Sequence, residues 1–561
     1  MLNCYKGGNS KMDNSCSQEL SDKIEGRNFK KFGLDMNPVV SFASAAIIIV
    51  ICLYALLNLE QAYDFAILIQ EIIARQLDWV FILSSNFIVI ICIFLALSRL
   101  GNVRIGGVNC EKEFGNFAWY SMLISAGMGI GLMFWAVGEP LTHFIEEPPI
   151  FTHSDASFTA MATTFYHWGL HPWGIYALMA LALAFFAYNR NMPLSLRSVF
   201  YFLFKDKIYG IIGDIIDTFA VLSVLFGLAA SLGLGVQQIN SGLDYLLGTG
   251  ISIWIQVLLI TLITLVAIIS IILGIHKGIK TLAMANMYLA FVFMMAVFIL
   301  GPSAYIIRLF SNSLGVYFSS LVQYSSFLPV DGSAWQATWT IPFLAWWIAW
   351  CPFVGMFIAR ISVGRTVREL IVGVLLVPSL LSFFWLTVFG GAAININQIY
   401  DGALFEVVRD NLPIALFELI TFLNIPLAED IFRVVIYIVA TALVVNYFVT
   451  SSDSGSLVVD KIASGGKIES PTAQRVFWAV MEGLLAATLL LIGGDRALEV
   501  LRSAVTSAGL PLAIILVLMT FSLIRGIAVA HTKQMRIKDY QKIDRILKKK
   551  LDQGNSGGHE Q

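Results

Sequence analysis

The sequence predicts an all-α integral membrane protein of twelve transmembrane helices. Of its 561 residues, 58% are apolar and only 13% are charged, about half the charged share of a soluble globular protein. Apolar runs of about 20 residues, the length a helix needs to cross a bilayer core, recur along the chain. The lysines and arginines alternate between successive loops. Lipid offers no hydrogen-bond partner to an open backbone, so each run is read as helix.

The expected helices lie near 38–58, 79–98, 117–137, 163–187, 211–235, 251–274, 281–301, 335–358, 370–392, 430–452, 475–493 and 502–524. A shorter apolar run near 412–425 reads as an interfacial helix. With the N-terminus inside, the intervening inside loops carry fifteen Lys and Arg and the outside loops four. This asymmetry follows the positive-inside rule and places both termini in the cytoplasm. Residues 1–36 then form a cytoplasmic tail, 37–525 the membrane domain and 526–561 a basic cytoplasmic tail. The first ~35 residues lack an apolar signal-peptide core, so the first membrane helix serves as the targeting signal, into the plasma (inner) membrane.

Composition also excludes functions. A chain with 13% charged residues cannot clothe a soluble enzyme of this size. Its net charge of −1 leaves no basic domain for nucleic acid. Cys4, Cys16, Cys52, Cys92, Cys110 and Cys351 form no CxxC or CxxH pair, so neither a disulfide framework nor a metal site is read. The spans hold no HExxH, no Cys/His cluster and no paired acids, which argues against a membrane-embedded enzyme. A channel fits twelve asymmetric spans poorly.

Three stretches carry chemistry. The third span contains Gly127, Gly129 and Gly131 around Met128. Each glycine costs a helix interior about 1 kcal/mol against alanine. The run suits either an unwound segment lining a site or close helix packing through Gly127 and Gly131. The fourth and eighth spans are rich in tryptophan: Trp168 and Trp173 with Tyr176, then Trp346, Trp347 and Trp350 near mid-span. Indoles at span ends are interfacial anchors, but deep clustered ones form a cage for a methylated ammonium, worth up to ~2 kcal/mol per ring. The tenth span ends in Tyr447, Thr450, Ser451 and Ser452. Their hydroxyls and free carbonyls suit Na⁺, or equally a capped helix end. Glu139, Glu482, His167 and His171 are among the ionisable residues in or beside spans; each reads as structural or functional, as do Arg360, Arg365 and Arg368 after the eighth span.

Together these stretches, with Ala345–Trp346–Trp347–Ile348–Ala349–Trp350–Cys351–Pro352–Phe353 running on to Gly364–Arg365–Thr366–Val367–Arg368–Glu369, resemble the betaine/carnitine/choline transporter family over roughly 35–525. The resemblance implies two inverted five-helix repeats, spans 3–7 and 8–12, with two peripheral N-terminal helices. It implies import of a quaternary-ammonium or sulfonium osmolyte, glycine betaine foremost, by alternating access. No cofactor is implied beyond Na⁺ as coupling ion, and a homotrimer is. The aromatic box falls on Trp168, Trp173, Tyr176 and Trp347, with Trp346 and Trp350 on the path. The substrate carboxylate falls near Gly127, Met128, Gly129 and Gly131, and sodium on Ser125, Met128, Tyr447, Thr450 and Ser451. A second sodium site would use Phe353 and hydroxyls of the fifth span, where this chain has Leu228, Ala229 and Ala230, with Ser231 nearby. Choline-type members carry Asp where Gly131 stands. Sodium-independent carnitine exchangers carry Arg and Met where Asn286 and Val354 stand. Carnitine/betaine exchange and uptake of choline or dimethylsulfoniopropionate are the alternatives.

Overall fold

The computed structural model describes residues 26–31, 33–127, 129–150, 155–273, 276–423, 429–467 and 470–556. Among them the chain is helical throughout, its β-pairing confined to isolated bridges. The first span, α1 (Pro38–Leu57), starts where Asn37 accepts hydrogen bonds from the amides of Val39 and Val40, with proline at the first helical position. Proline suits that position because its missing N–H would be unpaired there anyway. Next comes α2 (Leu59–Gln76), then α3 (Asp78–Leu97). The sequence reading left 59–78 as a loop; its apolar residues follow a helical period without making a 20-residue apolar run, so it forms an amphipathic helix.

The third span is broken. α4 (Asn116–Gly127) and α5 (Ile130–Ile145) meet at 64°, with Gly129 fully extended between them. The fourth is interrupted as well: α6 (Ala156–Trp168) gives way to α7 (Leu170–Ala184) at Gly169. A Cβ on Gly169 would stand 2.5 Å from the carbonyl oxygen of Phe165 and 2.6 Å from the ring of Phe383.

The fold continues with α8 (Ile211–Leu247), α9 (Ile253–Leu273) and α10 (His276–Leu300). At Gly301–Pro302 the chain turns by 108° into α11 (Ser303–Ser326), a second amphipathic helix in what the sequence reading took as a loop. It packs along α6. α12 (Thr340–Ile361) carries the tryptophan cluster and packs most closely on α7. α13 (Val367–Ile399) opens with a capping box of Thr366 and Glu369. After α14 (Ala403–Asp410) comes the short α15 (Ala415–Phe422), in the apolar run read as an interfacial helix; most of its apolar residues are buried by protein. Leu412, just before it, packs onto Gly138 of α5.

α16 (Glu429–Ala463), α17 (Thr472–Gly493) and α18 (Ala497–Ser556) complete the bundle. The last is one 60-residue helix. It passes the backbone of Ala345 at Gly509, and farther on the side-chain amide of Gln534 bonds both the N–H and the carbonyl of Arg104, at 3.1 and 3.0 Å. The basic tail is thus the extension of a membrane helix.

Nine helices of the described chain are long and apolar enough to cross a membrane, or eleven if each bent pair counts as one span. Large apolar side chains of α9, such as Trp254, Leu262 and Ile272, are exposed. Such a surface belongs in lipid.

Arg365 and Arg368 do local structural work on one side of the bundle. The Arg365 guanidinium lies 3.9 Å from the Trp119 ring centroid and donates to Asn116 and Phe114. Arg368 donates to the carbonyls of Ala96 and Ser98. Residues 103–105 pair with 364–367 through Ile105, Gly364 and Val367 amides. Gly364 has φ +81°, and a Cβ there would overlap the carbonyl of Glu111. Gly364→Ala is expected to cost about 3 kcal/mol from left-handed backbone strain and that overlap. The check is a lowered thermal midpoint of the purified protein; an unchanged midpoint would contradict it.

Glu482 forms no ion pair among the described residues. It is fully buried on α17, beside Ser452 and Asp453 of α16.

Candidate functional site

A cavity of about 250 Å³ lies between the broken helix α4–α5, α6, α7, α8, α10, α12 and α16. The interruptions in the third and fourth spans put it there. An α-helix presents side chains, but where α5 begins at Ile130 its first amides have no partner within the helix. Gly129, Ile130, Gly131 and Leu132 all line the cavity, so this positive helix end faces into it, a fitting place for an anion. Gly131 is tight: a Cβ there would stand 3.2 Å from Cη2 of Trp168.

Three aromatic rings meet on one wall. Trp168, the last residue of α6, and Trp347 of α12 are edge-to-face with centroids 5.1 Å apart. Tyr176 of α7 meets Trp347 at 5.5 Å. Each indole is held by its N–H: Trp168 donates to Glu139 at 2.7 Å, Trp347 to the carbonyl of His167 at 2.9 Å, and Trp346 to the hydroxyl of Ser231 at 3.0 Å. Trp346, Trp350 and Phe353 also line the cavity. Trp173 does not. It is buried behind Tyr176, ring to ring at 5.4 Å. Both rings are on α7, three positions apart, and only Tyr176 borders the cavity.

The residues named for sodium converge as well. Ser125, Tyr447, Thr450 and Ser451 line the same cavity; the Thr450 hydroxyl donates to the carbonyl of Asn446 at 2.8 Å, which leaves its lone pairs free. Met128 lies outside the described residues, and for Gly127 the structure gives only its place at the end of α4. At the second sodium position, Ser231 is already engaged, donating to Gly227 and accepting from Trp346. Leu228, Ala229 and Ala230 are buried and bring no oxygen from their side chains.

No carboxylate, histidine, lysine, arginine or cysteine is among the described residues lining the cavity. The site can hold a solute of zero net charge through aromatic faces, amides and hydroxyls, with no acid or base for covalent chemistry. One grouping elsewhere has metal-ligand character. Glu139, His143 and His167, all buried, bring one ligand atom each within 4.8 Å of the others.

A family model described as the betaine/carnitine/choline family transporter matches residues 39–532. The chain belongs to that family. Glycine betaine transporter 1 of Vibrio parahaemolyticus is 41% identical over 507 residues, covering 89% of this chain and 95% of that protein. A glycine betaine/proline/choline/ectoine transporter of the same organism is 41% identical over 510 residues, 89% of each chain. A glycine betaine transporter of Acinetobacter baylyi is 38% identical over 520 residues, 91% of this chain and 76% of that one. This betaine/carnitine/choline family member is therefore a membrane transporter and not an enzyme.

Sequence reasoning missed several groups in this transporter. Phe343 lines the cavity; its spacing of four from Trp347 along α12 was the available signal. His143 joins Glu139 and His167, and the interval of four from Glu139 was again legible.

Proposed function

We propose that this transporter imports a zwitterionic quaternary-ammonium osmolyte, glycine betaine first, driven by Na⁺ and working by alternating access. The observation that carries the reading is an aromatic cavity without a fixed charge, placed against an unpaired helix N-terminus. A trimethylammonium group donates no hydrogen bond, and indole faces attract it. The carboxylate of the same molecule suits the amides at Gly131 and Leu132. The names of the relatives support betaine and extend the range to proline, choline and ectoine.

Sodium, beside Ser125, Thr450 and Ser451, would brace α4 against α16 and so preorganise the amide end for substrate. Asn286 and Val354 line the cavity and supply no positive charge in place of Na⁺, which favours symport over sodium-independent exchange. Ser231 is the one hydroxyl near Phe353 on α8 and is spoken for, so the reading includes a single sodium at the α4–α16 site.

Twelve spans are supported if the run 472–541 is divided at Gly494 and each bent pair taken once. The two broken or tryptophan-bearing spans, α4–α5 and α12, then open corresponding halves of an inverted repeat. The positive-inside count supports two cytoplasmic termini in the inner membrane. A homotrimer is part of the proposal through family membership.

The test is uptake of labelled glycine betaine into proteoliposomes. An inward Na⁺ gradient should drive accumulation, and replacing Na⁺ with K⁺ should reduce it to the leak of empty vesicles. Uptake indifferent to the cation, or dependent on counter-substrate inside, would reject symport.

A further inference from the structure

We propose that Glu139 is a positioning residue of the aromatic cavity, one buried carboxylate that sets the orientation of two of its rings, Trp168 and Trp347. The proposal rests on the reading of that cavity as the substrate site.

Glu139 is fully buried on α5. Its Oε2 accepts the indole N–H of Trp168 at 2.7 Å. Its Oε1 lies 2.7 Å from Nδ1 of His167. A carboxylate can only accept, so Nδ1 carries the proton. Nε2 lies 3.0 Å from the hydroxyl of Thr340 and makes the second hydrogen bond of the ring. Both ring nitrogens are thereby fixed, and with them the backbone of His167, whose carbonyl receives the indole N–H of Trp347 at 2.9 Å. The carboxylate thus holds one ring directly and the second through a single residue.

A cation is linked to this carboxylate through two intervening rings. The guanidinium of Arg502, on α18, lies 5.4 and 5.1 Å from the ring centroids of Trp135 and Trp339. Trp339 in turn packs against His143 at 4.6 Å, and His143 Nε2 is 3.6 Å from Glu139 Oε1. The grouping of Glu139, His143 and His167 would match a divalent metal by donor type, but both carboxylate oxygens and both His167 nitrogens already have partners. Its geometry serves the rings.

Charge-assisted bonds of this kind are short and roughly twice as strong as neutral ones. Removing one partner of a buried pair leaves the other unsatisfied. Glutamine at position 139 can accept from only one of the two N–H groups, because its amide presents a donor to the other.

The experiment uses full-length protein labelled with 5-fluorotryptophan in lipid nanodiscs, with ¹⁹F resonances assigned by single Trp→Phe variants. Glu139→Gln should move the signals of Trp168 and Trp347 and leave that of lipid-facing Trp254 in place. Glu139→Asp keeps the charge but withdraws the oxygens, and should move the same two signals if the glutamine variant does not fold. In proteoliposomes, E139Q should raise the KM for glycine betaine about tenfold with kcat within about twofold. In a Trp168→Phe background the same change should cost clearly less than tenfold, because only the arm through His167 to Trp347 remains. Unmoved Trp168 and Trp347 signals, or a KM cost that multiplies undiminished in the W168F background, would overturn the proposal. A wild-type protein that takes up no betaine would defeat the substrate reading alone, since the fluorine spectra judge ring orientation without substrate.

Discussion

Trp347→Ala should raise the half-saturating concentration of glycine betaine about a hundredfold. Trp347 contacts both other rings of the wall, Trp168 at 5.1 Å and Tyr176 at 5.5 Å. Deleting it removes a desolvated cation–π partner worth about 2 kcal/mol. It also leaves its two neighbours without the edge-to-face contact that fixes them, about 1 kcal/mol more. Together these come to about 3 kcal/mol, or roughly two decades in affinity. Trp347→Phe keeps a ring but loses the bond to His167, and should fall between. Concentration-dependent uptake in proteoliposomes measures both. A near-normal KM in the alanine variant would contradict the placement of substrate against this wall.

Gly131→Asp should exchange selectivity. The cavity has no fixed charge among its described residues, and a Cβ at 131 would stand 3.2 Å from Trp168 and 4.0 Å from Trp346. An aspartate there brings a carboxylate to the rings and to the helix end where the betaine carboxylate is proposed to sit. Two like charges about 4 Å apart repel by roughly 4 kcal/mol at an effective dielectric of about 20. Betaine uptake should therefore fall by two to three orders of magnitude. Choline, a cation without a carboxylate, gains a partner and should be taken up at least about tenfold better. Competition between labelled betaine and choline decides the matter. A folded variant with unchanged betaine KM, or one that loses both substrates alike, would reject the charge account.

The sequence makes the long apolar helices legible because bilayer thickness sets their length and lipid sets their composition. α1 and α3 lie within a residue of their expected bounds. The glycine run also announced a special segment, and the break falls between Gly127 and Ile130. What stayed hidden depends on tertiary packing. α2 and α11 are amphipathic and never reach the apolar density of a span. Trp173 and Tyr176 differ by three positions on one helix, yet one faces the cavity and the other its backing, which depends on where α12 packs against α7. Glu139 on α5, its partners His167 and Trp168 on α6, and Thr340 bonded to His167 at the start of α12 come from three helices, so no spacing rule joins them. Glu482 illustrates the same limit, since its burial depends on the neighbours α17 acquires.

The unbroken length of α18 has a mechanical consequence. A helix rises about 1.5 Å per residue, so the stretch from Gly509 to Gln534 acts as a lever arm of about 37 Å. Its near end rests on the residue before Trp346 and its far end grips Arg104 through two hydrogen bonds. A pivot of about 5° at the inner contact would swing the outer grip by about 3 Å, enough to release it. Movement at the cavity would thus be magnified into the making and breaking of a latch at Arg104.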